Sequence, residues 1–147
     1  MDIVNRRARY LYHLTAELEA GIVLTGAEVK SVRQGRGSLE EAFARIRDGE
    51  VWLYNFLIPA YQHADIRGYD PTRARKLLLH KRETLRLFHT IEGKHLTLVP
   101  LACYTTGRFV KIRLGIGRGK KVYEKREERK RADLEREVAR EFKQKLH

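Results

Sequence analysis

The chain has 147 residues, with 31 Lys and Arg against 19 Asp and Glu, for a net charge of +12; its length suits one domain with an appendage. Such a surplus sets up a positive field that attracts polyanions, nucleic acid first and an anionic membrane surface second. No apolar run approaches the roughly 18 residues of a membrane span, the N-terminus lacks the apolar stretch of a secretion signal, and Cys103, the single cysteine, excludes an internal disulfide or a cysteine-built zinc site, so a cytoplasmic setting is expected.

Residues 8–15 alternate, with Tyr10, Tyr12 and Leu14 on one face, which predicts a strand; the short run 21–24 is a second candidate. Thr25-Gly26-Ala27-Glu28 has the form of a capping box, in which each end satisfies an unpaired backbone N–H. A helix follows from it, with Val29 and Val32 facing inward and Gly35 at its C-terminal cap. Residues 43–47 and 50–54 flank Asp48-Gly49, a strong two-residue hairpin signal. Residues 76–79 form a short apolar strand candidate, and 81–92 a helix with Leu85, Phe88 and Ile91 on its inner face, closed by Gly93. A second hairpin joins 96–104 to 109–116 through Thr106-Gly107.

Six strands with two helical inserts predict a mainly β (α+β) fold, an OB-fold-like antiparallel six-stranded barrel over residues 1–117. Residues 118–147 hold 12 Lys/Arg and 7 Asp/Glu and form a basic tail, joined through a hinge at Gly117 and Gly119. Leu134, Val138, Phe142 and Leu146 recur every four residues, a narrow stripe with little to bury. Such a segment is expected to be disordered when free and helical when bound.

Catalytic chemistry is not visible. The six histidines have no zinc-binding spacing, and Cys103 sits in an apolar strand pattern as a packed thiol. Gly115-Ile116-Gly117-Arg118-Gly119-Lys120-Lys121 lacks the hydroxyl residue and following helix of a phosphate loop. Asp48, Glu50 and Glu28 are explained by turn and cap chemistry, while Glu19 has no evident structural task. No enzyme activity, metal or cofactor is expected.

The positive signal is basic residues interleaved with aromatics. Asn5-Arg6-Arg7-Ala8-Arg9-Tyr10 opens the chain; Lys30, Arg33 and Arg36 line one side of the first helix; Arg73, Arg75, Lys76, His80, Lys81 and Arg82 crowd one segment. Arginine forks donate two parallel hydrogen bonds to phosphate, and aromatic rings stack on unpaired bases. Any one cluster is equally well a solvated face; three of them with a basic tail favour RNA or DNA.

The segments NRRARY from Asn5, EAGIVLTGAEVKS from Glu19, DPTRARKLLLHKRE from Asp70 and GRGKKVYEKRE from Gly117 resemble those of the SsrA-binding protein family, in order and spacing. The hairpin ARIRDGEVWLYN between them is similar to the family's too. The resemblance implies an OB-fold protein that binds the tRNA-like domain of tmRNA (SsrA RNA) and delivers it to stalled ribosomes for trans-translation, catalysing nothing itself. Asn5, Tyr12 and Glu19 fall on family positions of the tmRNA face: Tyr12 to stack on a loop base, Asn5 and Glu19 to read base edges or hold the RNA-binding loop. The Leu77-Leu78-Leu79 run resembles the family's RNA-facing edge, with core packing as its simpler explanation, and Arg6, Arg7 and His80 are expected on the RNA-binding surface. Lys30, Arg33, Lys76, Lys120 and Lys121 are expected as phosphate contacts. Tyr123, Glu124, Lys125 and Arg126 match the family's decoding-centre segment, with Arg129, Lys130 and Arg131 following into the mRNA channel of the small ribosomal subunit and its rRNA. Elongation factor Tu and alanyl-tRNA synthetase are met indirectly, through alanyl-tmRNA, by a protein that is a monomer when free. The competing reading is a general RNA chaperone or ribosome-associated RNA-binding protein.

Overall fold

The computed structural model describes residues 2–145, apart from the side chains of residues 122, 123, 128, 144 and 145. Its elements run β1 (Ile3–Val4), α1 (Ala8–Leu11), β2 (Tyr12–Ile22), α2 (Gly26–Arg33), β3 (Phe43–Arg47), β4 (Glu50–Tyr54), β5 (Arg75–Leu78), α3 (Lys81–Ile91), β6 (Thr97–Thr106), β7 (Phe109–Gly119) and α4 (Val122–Lys145). The strands form one antiparallel sheet in the order β1-β6-β3-β4-β5-β2-β7. A further β6–β7 pairing returns the succession on itself, leaving β1 as an addition to the edge of β6. The sheet thus has seven strands where six were expected.

Both expected hairpins are present. Asp48 and Gly49 take positive φ of 52° and 76° between β3 and β4, the primed-turn geometry that matches strand twist. In β7 the alternation resolves cleanly: Val110, Ile112, Leu114 and Ile116 are buried, while Phe109 and Arg113 are exposed. The main core gathers Ile22, Val32, Leu39, Leu53, Phe56 and Leu98 with the buried side of β7. A smaller cluster of Ala8, Val99 and Leu101 takes in Tyr12 and Leu14.

Four expectations are corrected. Residues 8–11 are helical: the N–H groups of Tyr10 and Leu11 return to the Arg7 carbonyl at 3.1 and 3.0 Å, so the strand begins at Tyr12. On α3 the buried residue is Leu87, with Ile91 partly buried beside it, while Leu85 and Phe88 are 59% and 42% exposed. Ile91 packs on the core as expected, but packing on the sheet turns Leu87 inward and leaves Leu85 and Phe88 outside. Residues 21–24 are not a separate strand, because Gly21 and Ile22 end β2 and pair with β5. Finally, Gly117 is no hinge. It is buried inside β7 opposite Leu14, and a Cβ there would lie 2.1 Å from the His13 carbonyl oxygen. Gly117→Ala is expected to cost about 2 kcal/mol through backbone displacement, read as a lower midpoint of thermal unfolding by circular dichroism.

The capping box of α2 forms as expected, Thr25 Oγ1 accepting from Glu28 N–H at 3.2 Å and Glu28 Oε1 from Thr25 N–H at 2.9 Å. The same carboxylate, sealed in the interior, also holds two arginines. Arg75, fully buried, donates through Nε to Glu28 Oε2 at 2.8 Å and through Nη2 to the Pro71 carbonyl at 3.0 Å, and its Nη1 meets the Phe56 carbonyl. Arg73 pairs with the other carboxylate oxygen. The network ties α2, β5 and the 56–71 segment into one unit, on which the position of the neighbouring surface depends.

Candidate nucleic-acid interface

Where β2, β5, the start of α3 and the β6–β7 turn meet, an open groove of about 890 Å³ is lined by Glu19, Leu78, His80, Arg108, Phe109 and Lys111 among others. Strand register builds it. Glu19 on β2 faces Arg113 on β7, and Tyr104 on β6 faces Lys111. Tyr104 Oη donates to the Glu19 carboxylate, and the Arg113 guanidinium lies 5.3 Å from the Tyr104 ring centre. Partial burial and the bond to Glu19 raise the Tyr104 pKa, so the phenol remains a donor that orients the exposed carboxylate. Phe109 stands 67% exposed at the shoulder of the turn, with Lys111 Nζ 5.6 Å from its ring centre. The carboxylates of Glu19 and Glu83, the open Phe109 ring and the cations Arg108 and Lys111 in one groove, with Arg113 across from Glu19 on β7, offer base-edge recognition, stacking and phosphate neutralisation together.

The expected site residues fall in three places. Glu19 and His80 line the groove; the His80 backbone N–H, at the start of α3, donates to Glu83 Oε1 at 3.1 Å. Leu77 is 2% exposed and belongs to the core, so it makes no surface contact; Leu78, 51% exposed against Gly21, is the residue that strand alternation turns outward. Lys76, on the same strand, pairs with Glu50. Lys30 and Arg33 are exposed on α2, with Lys30 Nζ 5.3 Å from the Tyr61 ring centre.

Tyr12 lies elsewhere, at the far end of β2 from Glu19, about 23 Å along a strand rising 3.3 Å per residue, and Asn5 lies along β6, across β7 from β2. Asn5 is buried, its N–H donating to the Leu101 carbonyl at 2.8 Å and its Nδ2 to that of Pro100 at 2.9 Å, which fastens the N-terminal segment along β6. Tyr12 is half-buried against Ala8, Val99 and Leu101, and Arg6 and Arg7 are exposed between them. Lys120 and Glu124 reach this same end, where Glu124 contacts His13. Lys121, Arg126, Arg129, Lys130 and Arg131 are exposed, Lys125 is half-buried, and Gly119 ends β7 on the surface. The Tyr123 side chain and Leu146 lie outside what the structure describes.

Arg108, Phe109, Lys111, Tyr104 and Arg113 were not anticipated as site residues. The outward phase of β7 was available in its alternation, but the strand partners that bring these side chains beside Glu19 were not. Among the described residues, no three His, Cys, Asp or Glu side chains gather as metal ligands, and no helix is long and apolar enough to cross a membrane. Cys103 is buried and its thiol is pushed up to about 12, chiefly by burial, consistent with a packed thiol.

Residues 2–144 match the family model described as SmpB protein. The SsrA-binding protein of Carboxydothermus hydrogenoformans is 51% identical over 134 residues, covering 91% of this chain and 90% of that one. That of Aquifex aeolicus is 46% identical over 144 residues, 97% and 92% of the two chains. A solved chain from work described as "tmRNA-SmpB: a journey to the center of the bacterial ribosome" is 48% identical with a TM-score of 0.68, over 82% of this chain and 85% of that one. Family model, relatives and fold agree: the chain belongs to the SsrA-binding protein family.

Proposed function

We propose that this chain binds the tRNA-like domain of tmRNA and carries it into ribosomes stalled on incomplete messages, acting in the cytoplasm as a binding factor and not as an enzyme. The sheet, closing as an OB-like barrel, presents the groove around Glu19 to the RNA. The observation that carries this reading is the exposed carboxylate among cations: phosphate repels Glu19, so on an RNA face it accepts from a base amino group, while Phe109 stacks and Arg108 and Lys111 neutralise phosphates. Lys30, Arg33, Lys120 and Lys121 extend the phosphate track, and the tRNA-like domain, once charged with alanine, brings elongation factor Tu and alanyl-tRNA synthetase into indirect contact. At 1.5 Å per residue α4 spans about 36 Å. Leu134, Val138 and Phe142 are exposed along it with no cover from the described residues, while Arg136, Arg140 and Lys143 lie on the opposite side of the helical wheel. Such a helix gains order by entering a cationic-face-to-rRNA fit in a vacant mRNA channel, and an intact message excludes it. Tyr123, Glu124, Lys125 and Arg126 then reach the decoding centre, followed by Arg129, Lys130 and Arg131.

Glu19→Ala is expected to lower the preference for the tRNA-like domain over an equal-length hairpin by about tenfold, the value of one base-edge contact, measured by fluorescence anisotropy. An unchanged ratio removes Glu19 from recognition and, with it, the basis of this assignment.

A further inference from the structure

We propose that His13 and Glu124 form a latch that fixes where α4 leaves the body and supplies the first turn from which the tail helix grows. Only Lys120 and Lys121 separate the end of β7 from the start of α4. Lys120 is held twice by α1, its N–H donating to the Leu11 carbonyl at 2.8 Å and its Nζ to that of Arg9 at 2.8 Å. One turn later the Glu124 carboxylate meets His13 Nε2 on β2, with Arg118 Nη1 of β7 3.7 Å away. Glu124 is also the third residue of α4, and its carboxylate accepts from the Lys121 N–H at the cap, the half of a capping box that reaches back to the N-terminus. One side chain therefore caps the helix and ties it to the sheet.

The consequence follows from helix energetics. Nucleating a helix fixes several residues for one hydrogen bond, and a polar segment has no packing to offset that cost. Here the first turn is fastened by the body, so the rest of α4 has only to propagate. Glu127, Lys120 and Arg131 face the same small cavity as His13 and Glu124, and with Arg118 they are the charged groups around the pair. His13 is thus a positioning residue acting through Glu124. The latch itself stands independently of any RNA partner; only its use in aiming the tail at the ribosome rests on the function proposed above.

The pair is proton-linked. Glu124 is held below the usual carboxylate range chiefly by its bond to His13. A lowered carboxyl pKa gives stability that is present above the unfolded value and lost as pH falls through the folded one.

Backbone ¹⁵N relaxation on the full chain tests this. Near pH 6, residues 124–131 of the wild type are expected to have order parameters of about 0.85, as in the body, falling below about 0.6 in His13→Ala. His13→Gln, whose amide still donates to a carboxylate, restores the order. Low order parameters in the wild type, or no change in His13→Ala, overturn the latch. Binding of tmRNA's tRNA-like domain is measured on the same samples. Its absence in the wild type defeats the functional reading and leaves the latch intact, whereas retained binding in a loosened His13→Ala separates the two.

Discussion

Glu28→Ala and Arg75→Ala are each expected to destabilise the fold by about 3–5 kcal/mol, because each leaves a partner charge buried without compensation. That is a large part of the 5–15 kcal/mol that holds a typical domain together. The loss is expected to be greater for Arg75→Ala, which also strips donors from the Phe56 and Pro71 carbonyls. In urea, the unfolding midpoint falls while the slope is retained. The network also sets a pH dependence. Burial pushes the Glu28 carboxyl up, but bonds from Arg73, the Thr25 N–H and Arg75 outweigh it and hold it below its ordinary value. Its contribution is therefore complete above the ordinary carboxylate range and is lost as pH falls through the lowered value. Glu28→Gln should flatten this acid limb of the stability curve. An acid limb unchanged by Glu28→Gln would assign the acid sensitivity to other carboxylates.

Ending the chain at Lys121 is expected to abolish peptide tagging on stalled ribosomes while leaving tmRNA binding nearly intact. The removed residues 122–147 hold nine Lys and Arg against seven Asp and Glu, so their loss barely changes the field that draws RNA to the body. What disappears is the helix proposed above to enter the vacant mRNA channel. Reconstituted translation on a message lacking a stop codon, together with a binding titration, separates the two activities. Parallel loss of both would contradict a division between a binding body and a sensing tail.

The sequence carried those parts of the fold that local chemistry dictates. Asp48-Gly49 and Thr106-Gly107 between alternating runs gave both hairpins, and Thr25–Glu28 gave the start of α2, because turn and cap signals act within a few residues. Two-residue β1 has no period to detect, and it exists only because Ile3 and Val4 find Cys103 and Ala102 on β6. On α3, Leu87 has helical spacing to Ile91 just as Leu85 and Phe88 do, and only the sheet beneath selects Leu87 as its buried companion. Arg75 sits in a run of cations that reads as surface; its burial depends on Glu28, 47 residues away in the chain. Glu28 had already been explained by its cap, which hid its second task.

The site divides in the same way. Glu19 stood out because no local motif used it, yet the Tyr104 hydroxyl that orients it comes from β6. Arg108, Phe109 and Lys111 could be placed on the outward phase of β7, but not beside Glu19 without the β2–β7 register. The Leu77-Leu78-Leu79 run was open to both a core and an RNA-facing reading, and only the strand phase, unknown from the sequence, sends Leu77 inward and Leu78 outward. His13 and Glu124, 111 residues apart, left no mark in the sequence as a pair.

The most direct test of the account is a salt titration of the full chain against tmRNA's tRNA-like domain and an equal-length control hairpin. Affinity for both should fall steeply with salt as phosphate contacts are screened, while the preference for the tRNA-like domain persists at every salt concentration. Equal affinities with a common slope would mean that the groove around Glu19 reads only charge, and would contradict specific recognition of tmRNA.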